Sequence, residues 1–200
     1  MSSVIGIAKT GKTDLDIADA VFKSLVFMEC LGEDATGLKL AMGRSPFRGA
    51  KDFGTTEYAL EEIVSKSFFG LPWDMGIGQN YKSPEENVSL REAGPVNIHH
   101  RNGSEYQVSI SLDGCILKHE DIIPQLKEKG YILESDSISP VVGSLFHKYL
   151  EETGDLFEAG RRLETKLNGR GYYSAVMMVQ KGNENYLVGI RSNTGTASLC

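Results

Sequence analysis

Eight residues near the start of the chain, GIAKTGKT from Gly6 to Thr13, satisfy the spacing G-x-x-x-x-G-K-[ST]. In a phosphate-binding loop that spacing lets backbone N–H groups cradle phosphates, a lysine reach the outer ones and a hydroxyl hold Mg²⁺. Three features argue for a plain strand-to-helix turn instead. Only Val4 and Ile5 precede Gly6 as an apolar strand. Asp14 and Asp16 bring two carboxylates to the point where a helix N-terminus should attract phosphate. The best candidate for a Mg²⁺-binding acid, Asp113 in VSISLDG, ends a half-polar strand, not a buried parallel one. A P-loop NTPase therefore stands as the lesser reading.

The other residue types that do chemistry form no local constellation. The histidines, His99, His100, His119 and His147, show neither H-x-x-x-H nor H-E-x-x-H spacing. His99 and His100 would face opposite sides of a strand. No metal and no cofactor is expected. Cys30, Cys115 and Cys200 are odd in number and far apart, and read as reduced thiols of a cytoplasmic protein.

The elements that must position these residues follow from periodicity. The chain has 200 residues, 40% of them hydrophobic and 24% charged, which suits one globular domain over residues 1–200. A net charge of −6 argues against a nucleic-acid surface. No apolar run reaches membrane-span length, and the first residues lack a signal peptide's pattern. SVIGIA (3–8) reads as a short strand. Helical spacing runs from Asp14 to Cys30, with Thr13 or Asp14 as its cap. TGLKLAM (36–42) alternates as a strand, 43–55 reads as a loop, 55–69 as a helix and WDMGIGQN (73–80) as a strand. NIHHR and YQVSISL suggest a hairpin about Asn102-Gly103, closed by Asp113-Gly114. A short helix bearing Pro124, extended YILES, two helices broken at Thr153-Gly154-Asp155 and a last hairpin about KGNEN complete the order. That order favours a layered, mainly antiparallel α+β fold.

Seven short motifs occur in series: Met1-Ser2-Ser3-Val4-Ile5-Gly6-Ile7, Gly32-Glu33-Asp34-Ala35-Thr36-Gly37-Leu38, Gly78-Gln79-Asn80-Tyr81-Lys82-Ser83, Leu112-Asp113-Gly114-Cys115-Ile116, Ser135-Asp136-Ser137, Gly171-Tyr172-Tyr173-Ser174-Ala175-Val176, and Gly189-Ile190-Arg191 running on to Gly195. In this order they resemble the glutaminase domain of class II glutamine amidotransferases. These are N-terminal-nucleophile (Ntn) hydrolases such as amidophosphoribosyltransferase and glutamate synthase. The resemblance covers nearly the whole chain and implies a four-layer αββα sandwich of two stacked, mainly antiparallel sheets.

It also implies roles. The family's nucleophile is the first residue of the mature chain, with its own α-amine as base. An Asn-Gly pair supplies the oxyanion donors, an Asp holds the substrate α-ammonium, and an Arg clamps its α-carboxylate. Carried over, these become Ser2, Asp113 with Gly114, Asp136, and Tyr81 with Lys82. The departures fall on the chemistry. Ser2 replaces cysteine and needs Met1 removed, Tyr81 replaces the clamp arginine, and Asp113 replaces the oxyanion-hole asparagine. Only Gly114 and Asp136 keep the expected types. Read without the family, Ser2 is a plain N-terminal serine, Asp113 a turn residue at a hairpin end, and Asp136 a helix cap. Natural divergence accounts for all three departures more simply than an engineered nucleophile. The resemblance thus implies glutamine as ligand and a separate synthase subunit as partner, with self-association left open. It leaves two outcomes: a glutaminase supplying ammonia, or a catalytically degenerate binding or assembly subunit.

Overall fold

The strand MGIGQNY (β4, Met75–Tyr81) shows how the sequence builds its layers. Met75, Ile77 and Gln79 face one way; Gly76, Gly78 and Asn80 face the other. Cβ atoms at Gly76 and Gly78 would meet Val21, Ile17 and Leu25 of α1 (Ile17–Phe27). Glycine here therefore lets the helix lie close on the sheet. In the computed structural model, which describes residues 2–11, 13–83 and 89–192, β4 sits inside a four-stranded sheet. Its order is β1 (Ser3–Ala8), β4, β2 (Ala35–Ala41), β3 (Arg48–Phe53), and every pairing is antiparallel. Helices α1 and α2 (Thr56–Ser67) cover its outer face through Ile17, Val21, Leu25, Leu60 and Val64, packed on Leu38, Leu40 and Trp73. Each such aliphatic side chain contributes about 1.5–3 kcal/mol on burial.

The second sheet is ordered β10 (Glu184–Arg191), β9 (Gly171–Lys181), β7 (Tyr106–Ile116), β5 (Val96–Asn97), again antiparallel. Its outer face carries Val108, Ile110, Leu112, Tyr173, Ala175 and Met177. These pack on α4 (Ile138–Thr153) and α5 (Leu156–Leu167) through Val142, Phe146, Leu150 and Leu163, with Leu126 of the short α3 (Ile123–Glu128) in the same core. Gly154 ends α4 in the left-handed conformation, φ 67°, and the Asp155 carboxylate caps α5 by accepting from Glu158 N–H. The inner faces meet through Ala41, Met75, Ile77, Val176 and Met178. Helices, sheet, sheet, helices: this is the αββα sandwich of two stacked antiparallel sheets that the resemblance implied.

Four local expectations need correction. The segment read as loop contains β3, an edge strand whose sequence RGAKDF is polar because edges are kept polar. The α1 cap is Asp16, whose side chain accepts from Asp19 N–H, rather than Thr13 or Asp14. The hairpin about Asn102-Gly103 is partial. Val96 and Asn97 pair with β7, whereas His99–His100 (β6) turn away to pair with Tyr131–Ile132 (β8). Finally, β7 does not end at Asp113-Gly114 but runs through to Ile116, so Asp113 is a strand residue and not a turn residue.

Candidate functional site

Ser2 stands at the start of β1. Because Ser3 pairs with Asn80, Ser2 comes level with the end of β4. Two bonds fix it there. Lys82 N–H donates to Ser2 Oγ at 3.1 Å, and Ser2 N–H donates to Asp113 Oδ1 at 3.0 Å. The second bond crosses from one sheet to the other. Next to it Gln79 clamps β4 to β7: its Nε2 donates to Leu112 O at 2.7 Å, and Leu112 N–H donates to its Oε1 at 3.4 Å. Gln79 is 1% exposed, so this is a buried two-point tie that holds Asp113 against the start of β1.

The residues at the clamp position are already engaged. Lys82 Nζ pairs with Asp34 Oδ1 at 3.1 Å, and Ser83 N–H donates to Asp34 Oδ2 at 2.9 Å. The Lys82 ammonium and then the Ser83 N–H hold the Asp34 carboxyl below its ordinary range. Tyr81 Oη donates to Glu92 Oε2 at 3.3 Å. Between them Asn80 faces the helices, where its Oδ1 accepts from the Thr36 and Thr56 hydroxyls and its Nδ2 donates to Leu25 O at 2.7 Å. That buried network fixes the strand end that carries Tyr81 and Lys82.

Gly114 has φ 146°, and a Cβ there would strike the Tyr172 carbonyl and Tyr173 of β9. Backbone packing alone therefore requires glycine. Asp136 lies in the loop between β8 and α4. Its Oδ1 accepts from Lys127 Nζ at 3.2 Å and its carbonyl faces His119 Nε2 at 3.0 Å. The N-cap position of α4 is Ser137, so Asp136 is not the cap. Of the expected site residues, Ser2, Lys82 and Asp113 are joined by hydrogen bonds, with Tyr81 and Gly114 beside them in sequence. Asp136 makes its contacts with Lys127 and His119.

Sequence reasoning gave no role to Gln79, Asp34 or Glu92, whose partners lie far off in the chain. Nor did it find Ser111 and Ser174, which flank Asp113 on the inner face, buried, with no hydrogen-bond partner for their hydroxyls among the described residues. Cys115, also on that strand, is an exposed free thiol.

The described residues of the GIAKTGKT stretch lack a phosphate loop's strand-to-helix geometry. β1 is the outer strand of an antiparallel sheet, and α1 begins only at Ile17. Its N-terminus is filled by the Asp16 carboxylate. Lys12 lies outside the described residues, as do Met1, Asn193, Gly195 and Cys200. No helix among the described residues is long and apolar enough to cross a membrane.

Two sheets face to face between helix layers, with the first strand delivering its leading residue to the gap between them, define the Ntn-hydrolase fold of class II glutamine amidotransferases. Solved structures agree. The allosteric regulatory enzyme of purine biosynthesis superposes with a TM-score of 0.71 at 15% identity, over 90% of this chain and 35% of that one. The glutamine phosphoribosylpyrophosphate amidotransferase of B. subtilis gives 0.68 at 15% identity, over 94% and 37%. Among curated proteins the chain is 25% identical over 174 residues to glutamine–fructose-6-phosphate aminotransferase of Aliivibrio fischeri, covering 86% of this chain. It is 23% identical over 186 residues to amidophosphoribosyltransferase of Methanocaldococcus jannaschii, covering 93%. The chain spans 26% and 37% of the length of these two relatives. No protein-family model matches it. In fold and in sequence the chain is similar to class II glutamine amidotransferases.

Proposed function

We propose that this domain acts by binding or assembly on the glutaminase fold and does not hydrolyse glutamine. The observation that carries the reading is the 3.0 Å bond from Ser2 N–H to Asp113 Oδ1. A carboxylate stands where amide hydrolysis needs a donor. It would repel the developing oxyanion that an oxyanion hole exists to stabilise, and loss of one such donor alone costs about 10²–10³ in rate. Removal of Met1 would not by itself restore catalysis, since a free amine beside Asp113 is favoured in its charged form and cannot then take a proton. The engaged Lys82 and the absence of arginine at Tyr81 also support it. Asp113 and Lys82 thus belong to the fabric of the corner, and Asp136 would meet a ligand's ammonium only by exchanging it for Lys127. Glutamine is the ligand to try first, and a separate synthase subunit the partner, since one of the sequence relatives is by name a glutamine–fructose-6-phosphate aminotransferase.

One observation favours the other reading, an active glutaminase that uses Ser2: its hydroxyl is held by Lys82 N–H at the inner end of β1, where an Ntn nucleophile belongs. Ammonia release decides between them, measured on wild type and on Ser2→Cys/Asp113→Asn, with the N-terminus read by intact mass. We expect no release from wild type, a rise in melting temperature with glutamine, and measurable release from the double variant once Met1 is gone. Steady release by wild type that Ser2→Ala abolishes would overturn the proposal.

A further inference from the structure

Away from the Ser2 corner, the inner face holds two lysines, Lys39 and Lys51, whose hydrogen-bond acceptors are neutral. On the paired strands β2 and β3, Gly37 lies opposite Lys51 and Lys39 opposite Gly49. The lysines are therefore diagonal neighbours on one face. That face looks at the second sheet: Lys39 Nζ donates across the gap to Asn97 Oδ1 at 2.7 Å, and Lys51 Nζ donates to Ala93 O at 3.3 Å. Both acceptors are neutral. Among the described residues neither ammonium has a carboxylate within ion-pair distance, whereas Lys82, Lys127 and Lys181 each have one. Both side chains are partly buried. Burial first, then the charge of Lys51, brings Lys39 down from its ordinary range to about 8, and burial lowers Lys51 as well.

Glu134, after β8, is the acid whose charge acts on both, and His99 Nε2 lies 3.5 Å from its Oε1. Among the described residues, one acid against two ammoniums leaves the patch positive. Asn97, the acceptor of Lys39, also lines a cleft of about 350 Å³ with Phe47, His99 and Gln107. A tie between two sheets needs only one donor, and a neutral amide would serve without desolvating charge. Two adjacent, partly desolvated ammoniums on neutral acceptors are the arrangement an anion stabilises.

We propose that Lys39 and Lys51 together bind a small oxyanion ligand, a phosphate or a dicarboxylate, in the gap between the β3 edge and residues 93–97. The site is separate from the Ser2 corner and does not depend on glutamine turnover.

The test uses the full chain. Its melting temperature is followed with inorganic phosphate and with glutarate, against sodium chloride at equal ionic strength. A saturable rise with at least one of the two, absent with chloride, is expected. Tighter phosphate indicates a compact phosphoryl ligand, and tighter glutarate a ligand with two spaced carboxylates. Lys39→Met and Lys51→Met should each weaken the binding about tenfold or more. Should a variant fail to fold, wild-type protein still decides: acetic anhydride labelling mapped by mass spectrometry should show Lys39 and Lys51 protected by the anion while Lys82 and Lys127 are not. A rise no larger than chloride's, uniform protection, or unchanged binding by both folded variants overturns the proposal.

Discussion

Lys39 shows how one residue carries information that its neighbours in sequence do not. It sits in TGLKLAM, where alternation marks a strand, yet its side chain points inward to Asn97 instead of outward to water. Burial lowers its pKa to about 8, against an ordinary 10.5. Between those values the unfolded chain keeps the proton and the folded chain releases it, so the unfolded state binds more protons and stability rises with pH. Below about 8 both states are protonated and the full penalty applies. Lys51 and Glu134 are the charged groups acting on it. The stability of wild type relative to Lys39→Met should therefore increase from about pH 7.5 to about pH 9.5, by roughly 1–2 kcal/mol after solvent screening. Urea unfolding at the two pH values measures it, and parallel curves would refute it. The same scale explains what the sequence concealed at the corner. Ser2 and Asp113 are 111 positions apart, and only the stacking of two sheets makes the aspartate the partner of the serine nitrogen.

At the scale of elements, legibility tracked how much of an element's shape is local. Helices α1, α2, α4 and α5 follow their apolar period, and the β9–β10 hairpin follows KGNEN, because neighbours in sequence are neighbours in space. β3 was hidden by its polar edge, and β6 by a two-residue pairing with a strand some thirty positions on. The α1 cap shows the same limit. Thr13, Asp14 and Asp16 are all suitable residue types, but only Asp16 also meets a distant group. Its Oδ1 accepts from Asp19 N–H at 3.2 Å and its Oδ2 from Gly70 N–H at 2.7 Å, which ties α1 to the turn after α2. Asp16→Ala should lower stability by about 1–2 kcal/mol, and Asp16→Asn by less. Asp14→Ala, at an exposed position, should change it by no more than about 0.5 kcal/mol. Equal losses at 14 and 16 in chemical denaturation would count against the assignment.

For the molecule as a whole, the decisive contact is the one between the sheets, and Gly6 reports on it. Gly6 is the first glycine of the phosphate-loop pattern and also a residue of β1 on its inner face. The two accounts give that glycine different work. A phosphate loop would need it for a turn against a ligand. In the sandwich it is needed because a Cβ would run into Val176 of β9 and crowd Leu187 of β10. Valine suits a strand better than glycine, so any loss on Gly6→Val comes from forcing the sheets apart. That overpacking should cost about 1–3 kcal/mol in urea unfolding and should also disturb the Ser2 corner, which the same strand positions. Gly160 supplies the control. It lies inside α5, and its Cβ would meet only Ile190 Cδ1 at 3.5 Å, an ordinary contact. Gly160→Ala should stabilise the protein by about 0.5–1 kcal/mol. A Gly6→Val protein as stable as wild type, beside a stabilised Gly160→Ala, would show that the sheets do not meet at β1 as described. The placement of Ser2 against Asp113 would fall with it.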